Sequence, residues 1–244
     1  MCTVIVRVPD SAAEPVRLLA VRDEDPARRW QPLGAWWPDA HPGVVGVRDV
    51  RAGGAWLAAD PARGRLAVLL NRASPPVPEG TIAVSRGGLV LDAVAGREPR
   101  PTTAVLGFNL VEVDGPRVRV VTWDGVERRE TVVPPGTHMI AHDDLDDPGT
   151  GRIRRWLPAF ASGSTEDAAD GWWRPWLGTV ARSADLPPDD ERAIIRDNRP
   201  LGYPTLSLLL CAASVTEGAV DVRYGELAEP GHWNAIALSP PVSG

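Results

Sequence analysis

The chain has 244 residues and a net charge of −6, and every one of its basic residues is arginine. That length suits one large domain or two small ones. The acidic balance, with no long arginine block, excludes general nucleic-acid binding, which needs a basic face.

The abundance of alanine, glycine, proline and arginine reads as the codon bias of a GC-rich bacterial genome. A charged segment followed by an apolar one, as in a secretory signal, is missing from the start. The longest apolar run, 205–215, is too short to span a bilayer as a helix. These features predict a cytoplasmic location and no transmembrane segment. The two cysteines, Cys2 and Cys211, lie far apart and predict no disulfide. Cys211 sits in an apolar run and reads as inert core.

In chain order, residues 2–6 read as a buried strand that begins at the terminus. Residues 16–22 are a second apolar run, stopped by Asp23, Glu24, Asp25 and Pro26. The stretch 44–71 reads as an antiparallel meander, with Gly53-Gly54 in one turn and Asp60-Pro61 in the next. A Pro-rich loop at 74–80 precedes a helix predicted over 86–96. Strands follow at 103–112, 117–123 and 127–133, separated by Asp114-Gly115 and Asp124-Gly125, which are hairpin signals. Ile153, Trp156, Leu157 and Phe160 recur at helical spacing, predicting a helix over 151–161. Residues 162–171 read as an exposed loop. Helices are predicted over 172–184 and 189–198, the latter with acids in its first turn. Strands at 204–215, 219–225 and 232–238 close the chain. This order predicts α+β, not alternating βαβ.

Cys2 has a special chemical option. If Met1 is removed, one residue carries both a thiol and a free α-amine. The amine has an unperturbed pKa of about 7.7–8.0 and the thiol of about 8.5. The amine can then take the proton from its own thiol, as in N-terminal nucleophiles. The competing reading makes Cys2 a small buried hydrophobe.

Several blocks resemble one family. They are Met1-Cys2-Thr3-Val4 with Val21-Arg22-Asp23-Glu24, then Arg28, then Arg48-Asp49 with Gly53-Gly54-Ala55-Trp56-Leu57. Leu70-Asn71-Arg72, Gly107-Phe108-Asn109-Leu110 and Tyr203-Pro204-Thr205 follow in order. Together they resemble the NRDE family, the relatives of transport and Golgi organisation protein 2. The resemblance implies one domain over 1–244. It also implies an N-terminal nucleophile hydrolase-like fold: an αββα sandwich of two antiparallel sheets between helix layers. Cysteine members of that fold, the choloylglycine hydrolases and penicillin V acylases, cleave non-peptide amides. By that likeness Cys2 is the nucleophile, flanked by Arg22 and Asp23, and Asn71 supplies an oxyanion-hole amide. The chain departs from the pattern at Val21, His142 and Leu206, where asparagine, asparagine and arginine are expected.

Two functions follow as expectations. One is a Cys2-dependent amide hydrolase or acyltransferase that needs no cofactor and takes a small amide or acyl substrate. The alternative is a carrier of haem or acyl lipid, with haem as ligand at Cys2 or His142. Trp36 and Trp37 are candidate ligand-binding walls for a planar or acyl group, against a default of core packing. Gly53-Gly54 lacks a following Lys-Ser/Thr and is no phosphate loop; it reads as a close backbone approach to another strand. His138 and His142 have the spacing of a helical zinc pair, but the local pattern is extended, so no metal site is expected. The acid-rich 143–147 segment reads as a solvated loop.

Overall fold

The computed structural model describes residues 2–163 and 171–242. Two antiparallel sheets stack face to face. The first holds β1 (Thr3–Val8), β2 (Val16–Glu24), β10 (Gly136–Ile140), β11 (Leu206–Thr216) and β12 (Ala219–Glu226), in the order β10-β1-β2-β11-β12. The second is a meander of seven: β3 (Trp30–Gly34), β4 (Val45–Asp49), β5 (Ala55–Asp60), β6 (Arg65–Asn71), β7 (Phe108–Asp114), β8 (Arg117–Trp123) and β9 (Arg128–Val132). Each of these seven pairs with its neighbour in the chain, the longest connection, residues 72–107, lying between β6 and β7.

Alternation along the strands creates the layers. Val4, Val6, Leu18 and Ala20 meet Leu57, Val68, Leu70 and Val111 between the sheets. Ile5, Leu19, Val21 and Leu210 point the other way, against α2 (Gly151–Ser162) and α3 (Arg174–Ser183). On the far side Ala58, Ala67, Leu69 and Phe108 pack under Val90, Leu91 and Val94 of α1 (Gly87–Val94). The layer order is therefore helix, sheet, sheet, helix. An α+β sandwich of two antiparallel sheets is what is observed. Strands buried on both faces account for the near-continuous apolar runs in β1, β2 and β11.

Several element expectations need correction. Residues 189–198 form turns and an isolated bridge instead of a helix. The Asp190 carboxylate accepts the Arg192 backbone N–H and grips its guanidinium, tying up the start of the segment. The Arg196 N–H then donates to Ser207 and the Asn198 N–H to Thr205. Pairing with 205–207 thus takes two N–H groups that a helix would have used. Residues 232–238 are not a strand; only the Tyr224–Ser239 bridge joins that region to β12, and Asn234 turns the chain by accepting the Ala228 N–H. The strand expected from residue 103 begins at Phe108, because a turn at Thr102 holds Val105. β3 and β10, unpredicted, are edge strands. The loop expected over 162–171 falls largely outside the described residues.

The acid-rich segment after β10 is more than a solvated loop. Asp144 pairs with Arg72 and Arg129, and Asp146 accepts both the Met139 N–H and a bond from His138 Nδ1 at 2.6 Å. The hydrogen bond to Asp146 outweighs partial burial and raises the His138 pKa above its ordinary 6.5. A base raised in the folded state stabilises it fully below its unfolded pKa and loses that contribution as pH rises through the folded value. The melting temperature should therefore fall between pH 6 and pH 8.5 by more in the wild type than in His138→Gln. Equal falls in both would remove the assignment.

Candidate functional site

Antiparallel pairing of β1 with β2 sets Thr3 opposite Val21, so the next residues outward, Cys2 and Arg22, are neighbours. Both lie on the face between the sheets. β2 in turn pairs with β11, where a bulge at Leu208 breaks the register opposite Arg22 and Asp23. Cys2 is 5% exposed and its Sγ–H donates to the Asp23 carbonyl at 3.6 Å. Burial raises the thiol pKa, so the resting group is protonated.

A small cavity of about 60 Å³ opens beside it. Cys2, Arg22, Asp23 and Asn71 all line it, joined by Glu24, Arg28 and Asp49 from the adjoining loop and strand ends. Its floor comes from Ala55, Trp56 and Leu69, and its roof from Ser85, Arg86 and Gly87 at the start of α1. The structure thus brings the four expected residues around one space, although they come from three strand ends.

Their orientations differ. Arg22 is 3% exposed, lies 5.7 Å over the Trp30 ring, and reaches Glu24 only at 3.5 Å. Its Nη1 is buried and makes no hydrogen bond within the described residues. Asp23, next in a strand, points to the opposite face. Its carboxylate accepts the Ser207 hydroxyl at 2.6 Å, and Ser207 also accepts the Arg196 N–H at 2.9 Å. Asp23 thus meets the Cys2 thiol through its main-chain carbonyl, while its carboxylate reaches Ser207. Asn71 ends β6, is exposed, and shares with Leu69 the face turned toward α1. No hydrogen bond of its side chain is present among the described residues, which leaves its amide available to the cavity.

Arg28 and Asp49 form an ion pair across the rim, Nε to Oδ2 at 2.6 Å. Burial opposes the Asp49 charge, but the Ala52 and Arg51 N–H groups and Arg28 overcome it and hold its carboxyl below the usual range. Arg86 donates to the Gly107 carbonyl at 2.8 Å, and burial lowers its pKa. Neither Arg86 nor Glu24 was expected at the site. Arg86 opens the helix predicted over 86–96 with nothing local to mark it, and only the docking of α1 brings it to the Cys2 cavity. That docking depends on Gly54, whose Cα lies against Gly87: an added Cβ would stand 2.5 Å from the Gly87 carbonyl carbon. The close approach anticipated for Gly53-Gly54 is real, but its partner is a helix start instead of a strand.

Three candidates lie elsewhere. Trp36 and Trp37 pack on the outer face of the seven-stranded sheet and donate their indole N–H groups to the Pro32 and Gly53 carbonyls. They wall no part of the Cys2 cavity. His142 follows β10, with Nε2 3.1 Å from Asp143, and burial lowers its pKa. It does not line the cavity either. His138 and His142 do not pair, and no group of three metal-ligating side chains occurs among the described residues.

Behind the site, on the helix side of the first sheet, lies a buried polar cluster absent from the sequence reading. Arg152 donates to the Thr3 hydroxyl at 2.8 Å and Arg196 Nε to the Asn198 side-chain Oδ1 at 2.8 Å. Burial lowers both guanidinium pKa values, Arg152 to about 10, while the Asp23 charge opposes the shift. A buried Arg in a helix was the available signal: Arg152 occupies the apolar stripe with Ile153 and Trp156. Among the described residues no helix is long and apolar enough to cross a membrane.

No curated protein matches the chain. A sequence model of the Transport and Golgi organisation 2 family matches residues 1–191, which carry Cys2, Arg22, Asp23, Asn71 and Arg86, while Ser207 and the rest of β11 lie beyond it. With the sandwich fold and that match over more than half its length, the chain belongs to the Transport and Golgi organisation 2 family.

Proposed function

We propose that the protein is a Cys2-dependent hydrolase or acyltransferase acting on an amide or thioester carbonyl. The observation that carries this reading is the single cavity lined by Cys2, Arg22, Asn71 and Arg86. Removal of Met1 frees the Cys2 α-amine. The amine takes the thiol proton, the thiolate attacks the carbonyl carbon, and a C–S bond forms. The proton then passes to the departing amine or thiol as its bond to carbon breaks. Water, or an acceptor amine or alcohol, attacks the thioester and returns the thiol. Asn71 is suited to donate to the oxyanion, and Arg22, with one uncommitted buried N–H direction, to hold the thiolate. The raised thiol pKa explains why a base is needed at all.

The cavity beside Cys2 is itself only about 60 Å³, and none of its lining residues favours the carrier reading over the hydrolase one.

The test is acyl-enzyme trapping. Protein verified by intact mass to lack Met1 is incubated with a p-nitrophenyl ester and quenched in acid. One acyl group should map to Cys2, and none should appear in Cys2→Ala or in protein that keeps Met1. Absence of the adduct from Met1-free protein overturns the proposal.

A further inference from the structure

We infer that the substrate presented to Cys2 is an anion, bearing a carboxylate or phosphate that seats on Arg29 and Arg51. This deepens the proposed function and rests on it. The Cys2 cavity alone is too small for a whole substrate, since small-molecule sites usually occupy about 300–1,000 Å³. A second depression of about 510 Å³ adjoins it, and Glu24 and Arg28 line both. Its walls include Arg29, Arg51, Val50 and Pro204.

The local charges are mostly committed. Arg28 is held by Asp49 and Glu24, and the Asp25 carboxylate accepts the Ala27 N–H. Arg29 and Arg51 differ: both are exposed, and neither guanidinium makes a hydrogen bond or ion pair among the described residues. Inside, Arg22 has a buried N–H direction without a hydrogen-bond partner. Across the two spaces five arginines (22, 28, 29, 51 and 86) stand among four carboxylates (23, 24, 25 and 49), the Asp23 side chain being turned toward Ser207. On a chain of net charge −6 this is a local reversal of sign. Such a reversal concentrates anions near the reacting atom. The apolar Val50 and Pro204 leave room for the aliphatic body that links the anion to the scissile carbonyl.

The experiment compares alkylation of Cys2 by iodoacetate, an anion, and by iodoacetamide, its neutral analogue. In both, the sulfur–carbon bond forms as iodide leaves. Rates are read by peptide mass spectrometry, which separates Cys2 from the buried Cys211, and are normalised to a neutral, unstructured cysteine peptide. At low ionic strength the iodoacetate-to-iodoacetamide ratio at Cys2 should exceed that of the peptide by about tenfold. In Arg29→Gln/Arg51→Gln it should fall close to the peptide ratio. Added acetate or inorganic phosphate should suppress the iodoacetate reaction more than chloride does. The better competitor shows whether a carboxylate or a phosphate is preferred. A wild-type ratio equal to that of the peptide, or suppression no stronger than by chloride, overturns the inference while leaving Cys2 a nucleophile. Failure of Cys2 to react with either reagent removes the proposed function and the inference with it.

Discussion

Asp23→Ala is expected to destabilise the fold by about 3–5 kcal/mol, the usual cost of leaving a buried charge without its partner. Adjacent opposite charges in a sequence normally suggest a surface pair worth under about 1 kcal/mol. Asp23 is instead 4% exposed, and it opposes the burial penalty of two guanidiniums, Arg152 and Arg196, themselves 1% and 2% exposed. Its carboxylate also takes the Ser207 hydroxyl bond, and Ser207 in turn accepts the Arg196 N–H at the register break of β11. Truncation therefore breaks the link between β2, β11 and the 189–198 segment. Total stabilities of only about 5–15 kcal/mol make a loss of this size a large fraction of the whole. Urea denaturation checks it. Asp23→Asn, which keeps a hydrogen-bond acceptor without the charge, should lose less. A loss below about 1 kcal/mol for the alanine variant would mean that Arg152 and Arg196 are balanced by other groups.

Gly54→Val should cost about 3 kcal/mol and also disturb the cavity. Overfilling a packed contact usually costs about 1–3 kcal/mol and occasionally more. Here the atoms in the way are backbone: Gly87 C, Cα and O would lie 2.5, 2.7 and 2.8 Å from a new Cβ. No side chain can swing aside, so α1 itself must move. Its buried Val90, Leu91 and Val94 would lift from the seven-stranded sheet, and Arg86 would shift at the cavity roof. Gly88→Ala is the counterpart. Nothing lies within 4 Å of a Cβ there, and alanine in a helix is favoured over glycine by about 0.5–1 kcal/mol. Chemical denaturation of the two variants should give changes of opposite sign. Equal effects would show that α1 is not seated on Gly54.

The convergence of Cys2, Arg22 and Asn71 on one cavity was readable in the chain because each lies at a strand end. The β1 and β2 runs are apolar on both faces, so they had to be internal strands, and their shared register follows once they pair. The blocks around Cys2, Arg22 and Asn71 each end a strand, and strand ends on one side of a sheet converge. The Asp-Gly turns at 114–115 and 124–125 fixed the hairpins of β7, β8 and β9, with both glycines at positive φ.

What the chain could not reveal depends on partners distant in sequence. Residues 189–198 look helical in isolation, yet the Arg196 and Asn198 N–H groups pair with Ser207 and Thr205, which no local pattern encodes. Trp36 and Trp37 have the composition of a ligand wall. Only the meander shows that they cover the outer face of a sheet. Arg22 and Asp23 are neighbours in sequence, but a period of two sends them to opposite faces. One faces the Cys2 cavity and the other a cluster of arginines assembled from α2 and the segment before β11. By itself the sequence determined which apolar runs must be buried and where the Asp-Gly hairpins turn, because side-chain alternation and turn chemistry act over a few residues. Only the tertiary structure decided which charges share a cavity. Glu24, Arg28 and Arg86 meet there because the docking of α1 on Gly54 and the stacking of two sheets are set by packing across the whole chain.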